Sequence, residues 1–199
     1  MAKIIGLTGG IATGKSTVSK MFKEREIPVI DTDKIAKSLL NKGSEGYQEI
    51  LSLFGEEVLS TDGEINRNKL ASKLFSDPKV RQTINGILHP KVKEIVKREI
   101  TRLESYGTEV IVVDVPLLFE TDFHKTCDYT LLVYARQKDQ VARLVERDQI
   151  DEAYALKKIK SQLPMSQKKQ LADFVIDNSK SILETRKAFD RLLERMEIK

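Results

Sequence analysis

KIIGLTGGIATGKSTV, residues 3–18, is the stretch that decides the fold. Lys3 to Thr8 is a short apolar, β-branched run suited to a strand, and it ends on Gly9-Gly10. From Ser16 to Arg25 the apolar positions return at helical spacing. Between strand and helix, Gly9, Gly14, Lys15 and Ser16 satisfy G-x-x-x-x-G-K-[ST], a match that arises by chance in under about 1% of chains of this length. Glycines let such a loop curl so that successive backbone N–H groups point inward, and the helix N-terminus adds positive potential. Gly10, Ile11, Ala12, Thr13 and Gly14 are therefore expected to cradle the phosphates of ATP, with Lys15 on the β- and γ-phosphates, Ser16 on Mg²⁺ and Thr17 at the same helix start.

Downstream, Ile27 to Ile30 reads as a second strand that ends at Asp31-Thr32-Asp33 and leads into a helix, IAKSLL. Residues 44–106 carry helical periodicity without a good strand, interrupted at Asp62-Gly63, Asp77-Pro78 and His89-Pro90. Glu109 to Val115, Tyr129 to Tyr134 and Phe174 to Ile176 are apolar runs of the kind buried on both faces of a parallel sheet. Strands alternating with helices predict an α/β fold of three layers, with a five-stranded parallel sheet and ligands at its carboxyl edge. One domain is expected: a core of about 1–40, 107–140 and 170–199, a helical substrate-binding insertion at about 41–106, and a helical lid at about 141–169.

Composition narrows the class. With 40% hydrophobic and 32% charged residues the chain is an ordinary globular one. Its single cysteine, Cys127, allows no internal disulfide and no thiolate-rich zinc site, and the apolar stretch near Met1 is short and runs into glycines, so cytoplasmic residence and no membrane association are expected. The net charge of +4 is all local, because residues 136–169 hold nine Lys/Arg against five Asp/Glu. A local basic segment suits a phosphate-rich small ligand; the seven Phe and five Tyr form no stacking platform, so no nucleic-acid partner is expected. A guanine-reading switch would carry Asn-Lys-x-Asp, whereas Asn41-Lys42 is followed by Gly43-Ser44.

Several side chains are candidates for the chemistry. Asp31 or Asp33, past the second strand, could accept the proton of an attacking hydroxyl or cap the helix that follows; spacing alone does not choose. Asp114 ends its apolar run in the manner of a Walker-B aspartate, a ligand for Mg²⁺, with a capping role as the alternative. Arg136, Arg143 and Arg147 lie at the approach to the lid, and the last two, at i and i+4, could grip transferring phosphates or pair with Asp139 or Asp148. Arg67 and His89 are the insertion's candidates for touching substrate, although a histidine before proline is more often packed or capping.

Taken in order, GLTGGIATGKSTV (6–18), VIDTDKIAK (29–37), LHP (88–90), VPLLFE (115–120), RLVERD (143–148) and ADFVIDNS (172–179) resemble the dephospho-coenzyme A kinase family across nearly the whole chain. The resemblance implies a P-loop kinase fold and transfer of the ATP γ-phosphate, with Mg²⁺, to the ribose 3′-hydroxyl of dephospho-coenzyme A, by a monomer or small homo-oligomer. It also implies that Asp33 is the carboxylate near the acceptor hydroxyl, that Thr8 lies beside the phosphate loop, that Arg143 and Arg147 are basic lid residues, and that Asn178 lies near the adenine. Two departures stand out: Ala12-Thr13 where the family often has Gly-Ser, and Lys158 where arginine is common. Ala12 must then tolerate a loop conformation that glycine enters more freely.

Overall fold

The computed structural model describes residues 1–198, without the side chains of residues 74–76. Five strands, β1 (Lys3–Gly9), β2 (Val29–Asp31), β3 (Val110–Asp114), β4 (Tyr129–Tyr134) and β5 (Phe174–Asp177), form one sheet in the order β2-β3-β1-β4-β5. The helices are α1 (Lys15–Glu24), α2 (Thr32–Ser38), α3 (Glu45–Phe54), α4 (Arg67–Ser76), α5 (Pro78–Ser105), α6 (Gln137–Asp148), α7 (Glu152–Lys160), α8 (Met165–Leu171) and α9 (Ile182–Arg195). The chain divides into two compact units, Met1–Ile30 with the chain from Leu103 onward, and Asp31–Arg102.

In the first unit β1 is central, parallel to β3 on one side and to β4 on the other. Its neighbours lead to opposite edges of the sheet, which makes the carboxyl end of β1 the switch point where α/β sheets bind ligands. Ile5 and Leu7 of β1, Val112 of β3, Leu131 and Val133 of β4 and Ile176 of β5 point to one face, where α1 and α9 cover them. Phe22 of α1 meets Phe189 of α9 edge to face, with ring centroids 4.7 Å apart. Both rings are buried, and each contributes roughly 2–3 kcal/mol by leaving water. On the opposite face the segment after β3 closes over β1: a Cβ on Gly6 would stand 3.1 Å from Leu118 and 2.8 Å from Cys127 Sγ, so only glycine fits. The register pairs Leu7 with Asp114 and Gly9 with Val133, so the glycine loop leaves the sheet two residues beyond the level of Asp114.

The unit Asp31–Arg102 has its own core of Tyr47, Ile50, Val58, Ile65, Leu70 and Ile84. Among its described residues the regular elements are helices, apart from Asp31 at the end of β2 and a single antiparallel bridge, Leu59 to Ile65. Asp77-Pro78 separates two helices as expected, Pro78 opening α5. His89-Pro90 does not break the helix: α5 runs through Pro90 for 28 residues. The missing N–H deprives the Gly86 carbonyl of its donor, but Gly86 is exposed, so water can satisfy it at modest cost.

Candidate active site

Residues 9–16 form a tight cradle whose backbone is held open by conformation. Gly14 has φ +86° and Ala12 has φ +59°, both in the left-handed region. Ala12 thus occupies the conformation that its sequence position implied, at the cost that region carries for a Cβ. Gly14 is the N-cap of α1 and offers no side chain, and the first turn holds no acid. The helix N-terminus therefore keeps its positive potential and unshielded amides for an anion. Thr13, fully buried, braces the cradle by donating from its hydroxyl to Gly10 O at 2.9 Å.

At the level set by the strand register, Lys15 Nζ makes an ion pair with the buried carboxylate of Asp114. Ser16 is exposed at the helix start, and Thr8, fully buried at the end of β1, donates to Pro116 O at 3.1 Å. Asp114 and Ser16 offer hard oxygen donors, the chemistry that suits a divalent metal held largely by phosphate oxygens.

Arg143 of α6 points at the cradle: Nη2 donates to Asn178 O at 2.7 Å, and Nη1 lies 3.4 Å from Ala12 O. Asn178, also buried, donates from Nδ2 to Thr13 O at 2.8 Å and accepts from Thr185 Oγ1 at 2.7 Å. Its amide is engaged with the loop itself. Arg147, one turn on, takes the ion-pair alternative, with Nε 2.7 Å from Asp148 Oδ1, and Arg136 pairs with Asp139 at 2.7 Å. Lys158 joins that group at 2.9 Å from Asp148 Oδ2. Arg147, then Lys158, hold the Asp148 carboxyl down at about 2.

In the Asp31–Arg102 unit the two carboxylates separate in role. Asp31 caps α2, its Oδ1 accepting from Lys34 N at 3.0 Å, whereas Asp33 sits exposed in the first turn. The capping alternative therefore belongs to Asp31. Arg67 is exposed at the first position of α4. His89 is half-buried within α5; burial, and then the Lys93 charge, lower its pKa, so its imidazole is neutral at pH 7.

Three further residues hold this region together without having been singled out by sequence. Gln140 of α6, 1% exposed, donates from Nε2 to Ile11 O at 2.6 Å. Gln162, between α7 and α8, accepts from Ile11 N at 2.9 Å. Lys168 of α8, fully buried, has Nζ 2.8 Å from Glu120 Oε1, an ion pair whose angles do not make a hydrogen bond. A signal existed for Gln140 alone, a polar residue on the same buried face of α6 as Val141 and Leu144. Lys168 sits among other polar residues, and Gln162 in a short linker, with nothing in the local sequence to mark either.

A glycine-rich loop at the switch point of a five-stranded parallel sheet is the architecture of the P-loop kinase fold, and solved structures share it. A protein of known crystal structure from Thermus thermophilus superposes with a TM-score of 0.85 at 30% identity, over 98% of each chain. A dephospho-CoA kinase from Campylobacter jejuni does so with a TM-score of 0.74 at 23% identity, over 98% of each chain. A sequence model of the dephospho-CoA kinase family matches residues 3–184. The dephospho-CoA kinase of Oceanobacillus iheyensis is 41% identical over the full length of both chains. That of Oryza sativa subsp. japonica is 41% identical over 98% of this chain and 84% of its own. The chain belongs to the dephospho-CoA kinase family.

Proposed function

We propose that this kinase moves the γ-phosphate of ATP to the ribose 3′-hydroxyl of dephospho-coenzyme A, giving coenzyme A and ADP. The observation that carries the reading is the uncapped start of α1 behind Gly14, with Lys15 beside it on a buried carboxylate. Phosphoryl transfer needs positioning and neutralisation of charge more than covalent help from the protein. The loop amides and Lys15 hold the β- and γ-phosphates. Lys15 then exchanges one anionic partner, Asp114, for another.

Ser16 and Asp114 would hold Mg²⁺, which supplies charge neutralisation on the phosphates when bound. Arg143 and Arg147 neutralise charge on the transferring group, which for Arg147 requires release from Asp148. Gly10 to Thr17, with Asn178, form the ATP side, and Thr8 belongs to the acceptor side. Asp33, relieved of capping by Asp31, accepts the proton of the acceptor hydroxyl, and Arg67 and His89 bind the acceptor. The unit that carries them serves as the substrate-binding insertion, and residues 141–169 as the lid. The reading puts the enzyme in the cytoplasm, where ATP is available and a chain with one thiol has no disulfide to lose.

The test is ADP formation from ATP and Mg²⁺ with dephospho-coenzyme A as acceptor, the product's phosphate located by NMR. A product phosphorylated elsewhere, or equal turnover with free nucleoside monophosphates, would overturn the assignment. Asp33→Asn is expected to lower kcat by about a hundredfold or more. Turnover near that of the unchanged protein would remove Asp33 from its role.

A further inference from the structure

The peptide groups of Ile11 are held from outside the loop. Its N–H donates to Gln162 Oε1 at 2.9 Å, and its carbonyl accepts from Gln140 Nε2 at 2.6 Å. The backbone fixes which end of each amide faces it: an N–H needs oxygen, a carbonyl needs N–H. Gln140 lies so close that a Cβ on Gly10 would stand 2.8 Å from its Nε2 and 2.9 Å from Met165 Sδ. This matters because the residue after Ile11 is in a left-handed conformation that alanine resists. Within the loop, Thr13 N at 3.2 Å and Thr13 Oγ1 at 2.9 Å both donate to Gly10 O, so the Gly10–Ile11 peptide is held at its oxygen by the loop and at its N–H by Gln162, whereas these bonds do not touch the Ile11–Ala12 peptide, which Gln140 holds.

We propose that Gln140 and Gln162 are positioning residues for ATP, acting through Ile11: together they set the loop's peptide planes so that the following amides face the phosphates. Gln140 comes from α6 and Gln162 from the linker between α7 and α8, so the loop's shape is tied to the helices of the basic segment. The inference rests on the loop being the ATP site. Transfer from ATP to dephospho-coenzyme A by the unchanged protein tests that reading separately, and only the variants below test this one.

Gln140→Met keeps the volume and removes the donor, leaving a buried carbonyl without a partner. The expected result is a rise of about tenfold in KM for ATP, with KM for dephospho-coenzyme A within about twofold of the unchanged protein. Gln140→Glu separates positioning from packing. Ionised, the carboxylate opposes the Ile11 carbonyl; protonated, it donates as the amide does. Its kcat/KM for ATP, divided by that of the unchanged protein at the same pH, should lie below Gln140→Met at pH 8 and above it near pH 5. Gln162→Met, on a half-buried linker, should raise KM for ATP several-fold without loss of fold, and serves if Gln140 variants do not fold. An unchanged KM for ATP in Gln162→Met, or a Gln140→Glu profile parallel to that of Gln140→Met, would overturn the proposal.

Discussion

Asn178 and Thr13 are 165 residues apart in sequence, yet the Asn178 side-chain amide donates to the Thr13 carbonyl at 2.8 Å. Thr185 completes the arrangement from α9 by donating to Asn178 Oδ1 at 2.7 Å. The last strand and last helix thereby clamp the loop made by the first strand and first helix.

Asn178→Ala leaves the Thr13 carbonyl and the Thr185 hydroxyl without these partners in a buried site. Such a loss costs about 1–3 kcal/mol. Both a lower denaturation midpoint in urea and an ATP affinity weaker by about tenfold are expected. Asn178→Asp should be worse than alanine, since a carboxylate oxygen would face the Thr13 carbonyl.

Lys168 and Glu120 give a second prediction. Lys168 is fully buried, and the Glu120 side chain is 21% accessible, so Glu120→Ala strands a buried ammonium. Loss of one partner of a buried pair costs about 3–5 kcal/mol, whereas replacing both by apolar residues is often near neutral. Chemical denaturation should place Glu120→Ala well below the double variant Glu120→Leu with Lys168→Met. Glu120 also accepts from Leu163 N at 3.2 Å, so the single change should loosen the α7–α8 linker as well.

Ala12→Gly should stabilise the protein. Alanine in the left-handed region costs about 1–2 kcal/mol, and glycine's extra freedom in the unfolded chain returns up to about 1 kcal/mol of that. A net gain of about 0.5 kcal/mol, or 1–2 °C in Tm, is expected by differential scanning calorimetry. The result would come without loss of activity, because no loop amide is removed.

Cys127 should resist alkylation. Burial, with Asp128 adding to it, pushes its thiol up to about 11. At pH 8 its thiolate fraction is then about 0.1%, against about 25% for an ordinary thiol, so iodoacetamide should react at least about a hundredfold more slowly than with a free cysteine. The sign for stability follows: the raised pKa favours the fold fully below about pH 9, and that contribution is lost as pH rises toward 11, because the unfolded chain ionises first.

All five strands were legible to within about two residues at their ends. β1, β3 and β4 are short apolar runs because both faces are covered, whereas β5, expected to be buried on both faces, is an edge strand with Val175 exposed, and its apolar, β-branched residues marked it all the same. The phosphate loop was legible because its glycine spacing is a local requirement of backbone shape. Pro90 misled, because a proline's cost depends on whether water reaches the carbonyl behind it, and exposure is not written in the local sequence. The choice between Asp31 and Asp33 for the cap needed backbone dihedrals, which place Asp31 in the extended conformation of an N-cap and Asp33 inside the helix.

The sequence by itself determined the cradle, Gly9 to Ser16, and the strands that carry it, because each depends on the steric and solvation properties of neighbouring residues. Only the tertiary structure decided what holds the cradle in shape. Gln140, Gln162, Arg143 and Asn178 reach Ile11, Ala12 and Thr13 across more than a hundred residues. A hydrogen bond between chain segments that far apart is set by sheet order and helix packing, and no spacing rule along the chain encodes it.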